Sequence, residues 1–519
     1  MANSSPFKTT EQRQRFSRKT LNIIIITVSI MIVLFYNMPG AKIPDSITQN
    51  GEETPISLTP PPQAEARVEV KQTDAKPYIP KDHLSSLDII AKATPKSHNI
   101  DIQSWNTTKG AQVLFVEAPE VPMIDVRLVF NAGGARDPKK LPGLALLTNG
   151  MITEGSKTHN IDEIAAHFES LGAVLENNSY RDMATLSLRT LSDEDLRQKA
   201  LDVFYGIISS PTFPEDSFQR LLKQLTLGLK HEKQNPKQLV SRQFYQSLYP
   251  DHPYGHRTQG TDESLKKLTI NDLKKFYSTY YVSSNMVIAI TGDIPRSEAE
   301  TIANAVDAAL NQGNPAPRLP TPASLAEKQD HFIEFPSSQS HVLMGALGIE
   351  RGNDDQYALT LGNRILGGGG FGSRLTKTIR QDKGLVYSVY SHFSAMAVNG
   401  PFIMGLQTKN ASRQEASDLM LNILNEFASQ GPTEKELIDA KQHLLGNFPL
   451  GIASNNSIVG YLGVIGFYNL PLDYLETYPK KLERVTSQDI KRAFEKNINR
   501  EALITIALGQ KNITEEKTP

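Results

Sequence analysis

The sequence predicts an α+β fold made of two homologous domains, each a mainly antiparallel sheet packed with helices. Three observations predict it. The first is an internal duplication: ESLKKLTINDLKKFYSTYYVSSNMVIAITGDI, ending at Ile294, is similar to KKLERVTSQDIKRAFEKNINREALITIALGQ, ending at Gln510, with Thr269 and Asp272 against Thr486 and Asp489. An earlier pair of segments aligns Gly172 with Gly384. The period of roughly 215 residues is far too long for a solenoid and means two domains. The second observation is order: in each half strands come first, then helices, strands, several helices and a closing strand, which argues for segregated layers rather than a doubly wound sheet. The third is local. Ile124, Val126, Leu128 and Phe130 alternate with Asp125, Arg127 and Val129, the pattern of a half-buried antiparallel strand.

The 519 residues, 39% of them apolar, suffice for more than one core. A net charge of −1 gives no footprint for a nucleic-acid partner. The chain has no cysteine, so disulfides, thiolate metal sites and cysteine nucleophiles are excluded together.

At the amino terminus a basic tail (1–20) with Lys8, Arg13, Arg15, Arg18 and Lys19 precedes the apolar run Leu21 to Met38. The positive-inside rule keeps the tail cytoplasmic and exports the chain beyond Met38. The run is at the short limit for a span, with a secretory signal as the competing reading; the weak cleavage sequence Pro39-Gly40-Ala41 favours an uncleaved anchor. Residues 39–95 are polar and proline-rich and read as a tether, with a short helix from Leu87 to Ala93. The expectation is a single-pass protein of a bacterial inner membrane with its bulk in the periplasm. The first domain then covers 96–312, with helical spacing at Leu196–Ile208 and Phe218–Leu229; a linker comes next at 313–324, and the second domain at 325–515.

The second half is organised around Gly362 to Tyr390, GNRILGGGGFGSRLTKTIRQDKGLVYSVY. Ser373 can cap a helix carrying Leu375 and Ile379, Gly384 stops it, and Arg380 falls in its last turn. Leu385 to Phe393 reads as a strand with Tyr387 and Val389 on one face, so Arg380 and Tyr387 can converge. Gly367, Gly369 and Gly372 satisfy the dinucleotide fingerprint G-x-G-x-x-G, but the run follows a helical pattern (Tyr357, Leu361, Arg364, Ile365) and lacks the acidic residue about 20 positions on. No Gly-Lys-Ser/Thr succeeds it, so a P-loop fails too. A turn where two backbones pass closely is the better reading.

Taken with the duplication, several residues resemble the peptidase family of insulinase, pitrilysin and mitochondrial processing peptidase. They are Asn131-Ala132-Gly133-Gly134 followed by Gly143-Leu144-Ala145, the turn His252-Pro253-Tyr254-Gly255 with Gly260-Thr261, Tyr280-Tyr281…Asn285…Gly292-Asp293, and Gly384-Leu385-Val386-Tyr387. The resemblance implies a zinc site, H-x-x-E-H, directly after that Gly-Leu-Ala, with a further glutamate on a later helix. Here the motif positions read Leu146, Asn149 and Gly150, and the later position falls near Leu227, with no acid until Glu232. Leucine and glycine offer a metal no lone pair, and asparagine is no base at neutral pH. The inherited metal site is therefore absent from this chain. His159, Glu163 and His167 are spaced four apart, but Asn160 as a helix cap would leave His159 outside the helix. His252 and His256 flank a turn, and His331 with Glu334 lacks a second histidine.

The resemblance also implies an arginine and a tyrosine seven apart that grip the substrate backbone and polarise the scissile carbonyl. Arg380 and Tyr387 match that spacing, with Gly368, Gly369 and Gly370 as candidate substrate-binding backbone beside them. A division of labour is then expected: a zinc-free subunit, not catalytic alone, facing a homologous partner that carries H-x-x-E-H and the zinc, acting on peptides or unfolded polypeptide. The alternative is a non-enzymatic peptide-binding or scaffold protein with a peptidase-like chamber.

Overall fold

Runs of β-branched and aromatic residues set the first layer. In the computed structural model, which describes residues 100–511, strands β1 (Gln103–Asn106), β2 (Gln112–Glu117) and β3 (Met123–Phe130) precede helices α1 (Leu144–Ile152) and α2 (Ile161–Ser170). Next come β4 (Val174–Ser179), β5 (Ala184–Leu191), α3 (Glu194–Ser209), α4 (Glu215–Glu232), α5 (Pro236–Leu248), α6 (Ile270–Tyr280) and β6 (Met286–Gly292). A further helix, α7 (Arg296–Ala309), comes after β6, so this half does not end on its closing strand. The second half runs β7 (Gln329–Glu334), β8 (Gln339–Leu347), α8 (Gln356–Asn363), β9 (Val386–Phe393), β10 (Pro401–Lys409) and α9 (Arg413–Gln430). It continues with α10 (Glu434–Gly451), α11 (Asn455–Phe467), α12 (Tyr474–Arg484), α13 (Ser487–Asn497) and β11 (Ile504–Gly509).

The strands form two sheets, ordered β1-β2-β6-β3-β5-β4 and β7-β11-β8-β10-β9. Apart from β1 the two orders correspond strand for strand. Each sheet has one parallel pair, β2 with β6 and β7 with β11, among antiparallel ones. The sequence repeat has local causes. Thr269 and Thr486 each cap a helix by accepting from the backbone N–H of Asp272 and Asp489, whose carboxylates accept in return from the cap's own N–H. Gly172 and Gly384 both take φ +62°, the left-handed turn that closes a helix before a strand.

β3 is not half-buried as its alternation suggests. Ile124, Val126, Leu128 and Phe130 join the first half's core, but Asp125, Arg127 and Val129 are buried as well. The cause is α11, a helix of the second half that lies across their face of the sheet. Its Gly460, Gly463 and Gly466 recur every three residues. A Cβ on Gly463 would stand 2.9 Å from Val129 Cγ2, and one on Gly466 2.5 Å from Val287 Cγ1 and 2.8 Å from Leu114 Cδ1. Glycine lets the helix backbone rest directly on the sheet, and Leu114, Val129 and Val287 join the second half's core. Gly466→Val is expected to destabilise the protein by about 1–3 kcal/mol through overpacking. The measurement is a urea titration, and an unchanged midpoint would show that α11 lifts off freely.

The linker has no regular secondary structure yet is fastened to the first half. The Ser284 hydroxyl donates to Gly313 O (2.6 Å), Ala316 N donates to Asn285 Oδ1 (2.8 Å), and His252 Nε2 lies 2.8 Å from Pro320 O. His252 Nδ1 accepts from Tyr254 N, so Nε2 carries the proton and donates. No single helix among the described residues is long and apolar enough to cross a membrane. The tail, the anchor at 21–38 and the tether all lie outside the described residues.

Candidate functional site

The helix that would carry the metal motif, α1, begins at Gly143 (φ +95°), whose N–H donates to Asp137 Oδ2 while Ala145 N–H donates to Oδ1, each at 2.7 Å. Burial pushes the Asp137 carboxyl up to about 8 against these two bonds. Downstream, Asn149 is 2% exposed. Its amide donates to Thr185 O (3.3 Å) and Tyr281 Oη (3.2 Å), and its backbone carbonyl accepts from Asn177 Nδ2 (2.8 Å). Asn149 thus ties α1 to β4, β5 and the end of α6.

A side chain on Gly150 would meet Leu221 Cδ1 of α4 at 3.5 Å. Leu227, the position that the sequence points to, is 45% exposed. Six residues from Leu221 along a helix of 3.6 residues per turn, it falls on another face. Leu146, Asn149, Gly150 and the leucines of α4 therefore do not fit zinc. Among the described residues no group of three His, Cys, Asp or Glu side chains could hold a metal ion.

The histidine candidates are engaged locally. Asn160 caps α2 in a reciprocal pairing with Glu163, which leaves His159 outside the helix rather than on a shared face. The His159 and His167 rings lie 6.0 Å apart, His159 Nδ1 against Thr158 Oγ1 and His167 Nε2 against Lys199 O. His331 is exposed on β7, where Glu334 pairs with Lys511 at 3.6 Å.

In the second half α8 widens into a π-helical turn at Arg364–Gly368, followed by a tight turn at Gly370–Gly372. A Cβ on Gly367 would lie 2.6 Å from Ser391 N of β9, so this backbone does pass closely, as the glycine run suggests. Gly368 and Gly369 fold back on Asn363 and Arg364, whereas Gly370 (φ +58°) faces open space. Buried Ser373 then starts the next helix, its hydroxyl donating to Gly370 O at 2.9 Å. That helix is π-helical over Thr376–Asp382, and Lys383 N–H reaches back five residues to Thr378 O at 3.2 Å. Arg374 anchors it through a two-pronged contact with Glu436 of α10, both at 2.7 Å. Burial alone would raise the Glu436 carboxyl, but Arg374 and the Thr433 N–H bring it down to about 2.

Arg380 lies in the last turn of this helix, exposed, with its guanidinium 5.1 Å from the ring centroid of Phe371. Tyr387 is 50% exposed and Phe371 67%. Neither Arg380 nor Tyr387 has a hydrogen-bond or ion-pair partner among the described residues. Tyr387 does not share a face with Val389. Gln407 of β10 pairs with Ser388 and Thr408 with Val386, which leaves Tyr387 as the extra residue of a β-bulge. The bulge buries Val386 and Val389 together and turns Tyr387 outward. What can be done here is donation: a guanidinium fork and a phenol O–H, both without hydrogen-bond or ion-pair partners among the described residues, on elements that flank one glycine turn.

Two features carry no signal in the sequence. One is the stacking of Arg380 on Phe371. The other is Asp182, buried where the halves meet. It accepts from the Tyr254 hydroxyl of the first half, and from Tyr468 Oη (2.9 Å) and Ala397 N (2.8 Å) of the second. The His252-Pro253-Tyr254-Gly255 turn is thus a clasp, completed by Tyr249 Oη donating to Asn399 O at 2.9 Å.

Comparison with known proteins agrees with this architecture. Residues 112–262 match the family described as Insulinase (Peptidase family M16), and residues 267–444 match Peptidase M16 inactive domain. The solved structure of a peptidase M16 inactive domain from Pseudomonas fluorescens is 43% identical, with a TM-score of 0.77 over 79% of this chain and 98% of that one. A protease structure from Helicobacter pylori, 19% identical with a TM-score of 0.72 over 79% of this chain and 99% of that one, shares the fold. Among curated relatives, "Non-peptidase homolog YmxG" of Helicobacter pylori is 27% identical over 73% of this chain and 87% of its own length. "Uncharacterized zinc protease YmxG" of Bacillus subtilis is 25% identical over 69% and 86%. The chain belongs to the insulinase family, peptidase family M16.

Proposed function

We propose that this chain is the zinc-free subunit of a heteromeric insulinase-type metallopeptidase. It supplies Arg380 and Tyr387 to a site whose zinc and general base come from a homologous H-x-x-E-H chain. The observation that carries the reading is a contrast within one molecule. The motif helix carries packing and amide bonding in place of ligands, while Arg380 and Tyr387 stand exposed without hydrogen-bond or ion-pair partners among the described residues. Donors of this kind bind a peptide carbonyl and stabilise the negative charge that develops on its oxygen. Arg374 and the bulge hold them in place, and Gly370, which faces open space, lets extended polypeptide come close. The amino-terminal anchor would tether the pair to an inner membrane, facing the periplasm.

Two measurements test this. Purified alone, the full chain is expected to hold under about a tenth of an equivalent of zinc and to cleave no peptide; one tightly held equivalent would sink the proposal. Co-expressed with the H-x-x-E-H homologue of its host, it is expected to co-purify, and the pair to cleave unfolded peptides that neither chain cleaves alone. The relative named as a non-peptidase homologue favours a second reading, a peptide-binding scaffold. On that reading no combination of chains is active.

A further inference from the structure

The charge around the glycine run is one-sided. Gly362 to Tyr390 contains Arg364, Arg374, Lys377, Arg380 and Lys383 against Asp382 alone. Arg374 is neutralised by Glu436, but Arg364, Lys377, Arg380 and Lys383 have no ion-pair partner among the described residues. Arg364 is the unusual member because it is half-buried at the base of the run rather than out in solvent. Its Nη1 donates to Gly368 O at 3.3 Å, and its Nε stands 3.5 Å from where a Cβ on Gly369 would be. A guanidinium has five N–H donors, and a single carbonyl answers one of them.

The surroundings supply no counter-charge. Burial lowers the Arg364 pKa, and His443 on α10 is itself held low, by burial first and then by the Arg364 charge. Arg380 lies against the other end of the same run, over Phe371. Two arginines thus flank one short stretch of glycine backbone. The ligand chemistry that answers a planar, partly desolvated guanidinium is a carboxylate, which takes two parallel N–H bonds.

We infer that this site selects peptides by a carboxylate, from an acidic side chain or a free carboxyl terminus, which Arg364 binds at the base of the glycine run while Arg380 contacts the adjoining backbone. The inference rests on the proposal that the second half holds peptide, and adds the class of peptide. A polypeptide is favoured over nucleic acid because the whole chain has a net charge of −1 and the basic group is confined to one loop and helix.

The test is fluorescence anisotropy with the full chain and four labelled probes of about a dozen residues or nucleotides: a glutamate-containing peptide with an amidated terminus, its glutamine counterpart also amidated, the glutamine peptide with a free terminus, and single-stranded DNA. One carboxylate-bearing peptide is expected to bind about tenfold or more tighter than the amidated glutamine peptide. Which of the two does so identifies the source of the carboxylate. Arg364→Gln should abolish the preference and Arg364→Lys keep part of it. Should Arg364→Gln fail to fold, the wild-type comparison still decides. Equal binding of all three peptides, a preference that survives in Arg364→Gln, or DNA bound as tightly as the best peptide overturns the inference and leaves peptide binding standing. Binding of no peptide removes the proposed function along with it.

Discussion

Replacing Arg380 by alanine is expected to cut kcat/KM of the proposed heteromer about 100-fold, the usual cost of one oxyanion donor, close to 3 kcal/mol. The loss should fall mainly on kcat, with a smaller rise in KM, because Arg380 already touches the bound backbone and its interaction strengthens as charge develops on the carbonyl oxygen. Tyr387→Phe removes the hydroxyl alone and should cost about tenfold or more by the same reasoning. Neither change should disturb the fold. Arg380 gives up only its stacking on exposed Phe371, worth about 0.5–1 kcal/mol at such a site, and Tyr387 is the unpaired residue of a bulge with no internal bond. Thermal unfolding and co-purification with the proposed zinc-bearing chain should therefore match the wild type. Wild-type turnover in both variants would leave Arg380 and Tyr387 as surface residues and remove them from the proposed site.

Much of the fold was legible in the sequence because its determinants are local. The capping boxes at Thr269–Asp272 and Thr486–Asp489 need only four residues each, and the left-handed Gly172 and Gly384 only a helix end. Aligning them revealed the repeat, and the repeat implied two matching sheets. The loss of metal ligands was equally legible, since Leu146 and Gly150 lack the atoms whatever surrounds them. What escaped depends on distant partners. Alternation along β3 could not reveal that α11, more than 300 residues on, would cover its second face. The direction of Tyr387 depends on how β10 pairs with β9, since one extra residue reverses every side chain before it.

Asp182 belongs with those distant effects, and its replacement should be the most damaging to the fold. Asp182→Asn is expected to cost about 3 kcal/mol. The carboxylate accepts from three donors, Tyr254, Tyr468 and Ala397, and an amide keeps one acceptor oxygen while turning an N–H₂ group toward at least one of them. Each such hydrogen bond is worth about 0.5–1.5 kcal/mol net, and a buried donor left unanswered costs about 1–3 kcal/mol more. The variant also has a pH signature. Burial holds the Asp182 carboxyl above its ordinary value in spite of these bonds, so the folded state keeps its proton to higher pH than the unfolded chain does. Between the unfolded pKa, about 3.9, and the raised folded value, stability contributed by this group falls as pH rises, and it levels off above. Asp182→Asn should remove that slope along with the stability, which urea titrations at several pH values would read. Because Tyr254 belongs to the first half and Tyr468 and Ala397 to the second, the loss should loosen the joint between the halves before it unfolds either. Proteolysis is then expected to begin in the linker, where Pro320 is held by His252 beside Tyr254. An Asp182→Asn protein with wild-type stability and the wild-type pH slope would mean that the apolar contacts of α5 and α11 hold the halves together without this carboxyl group.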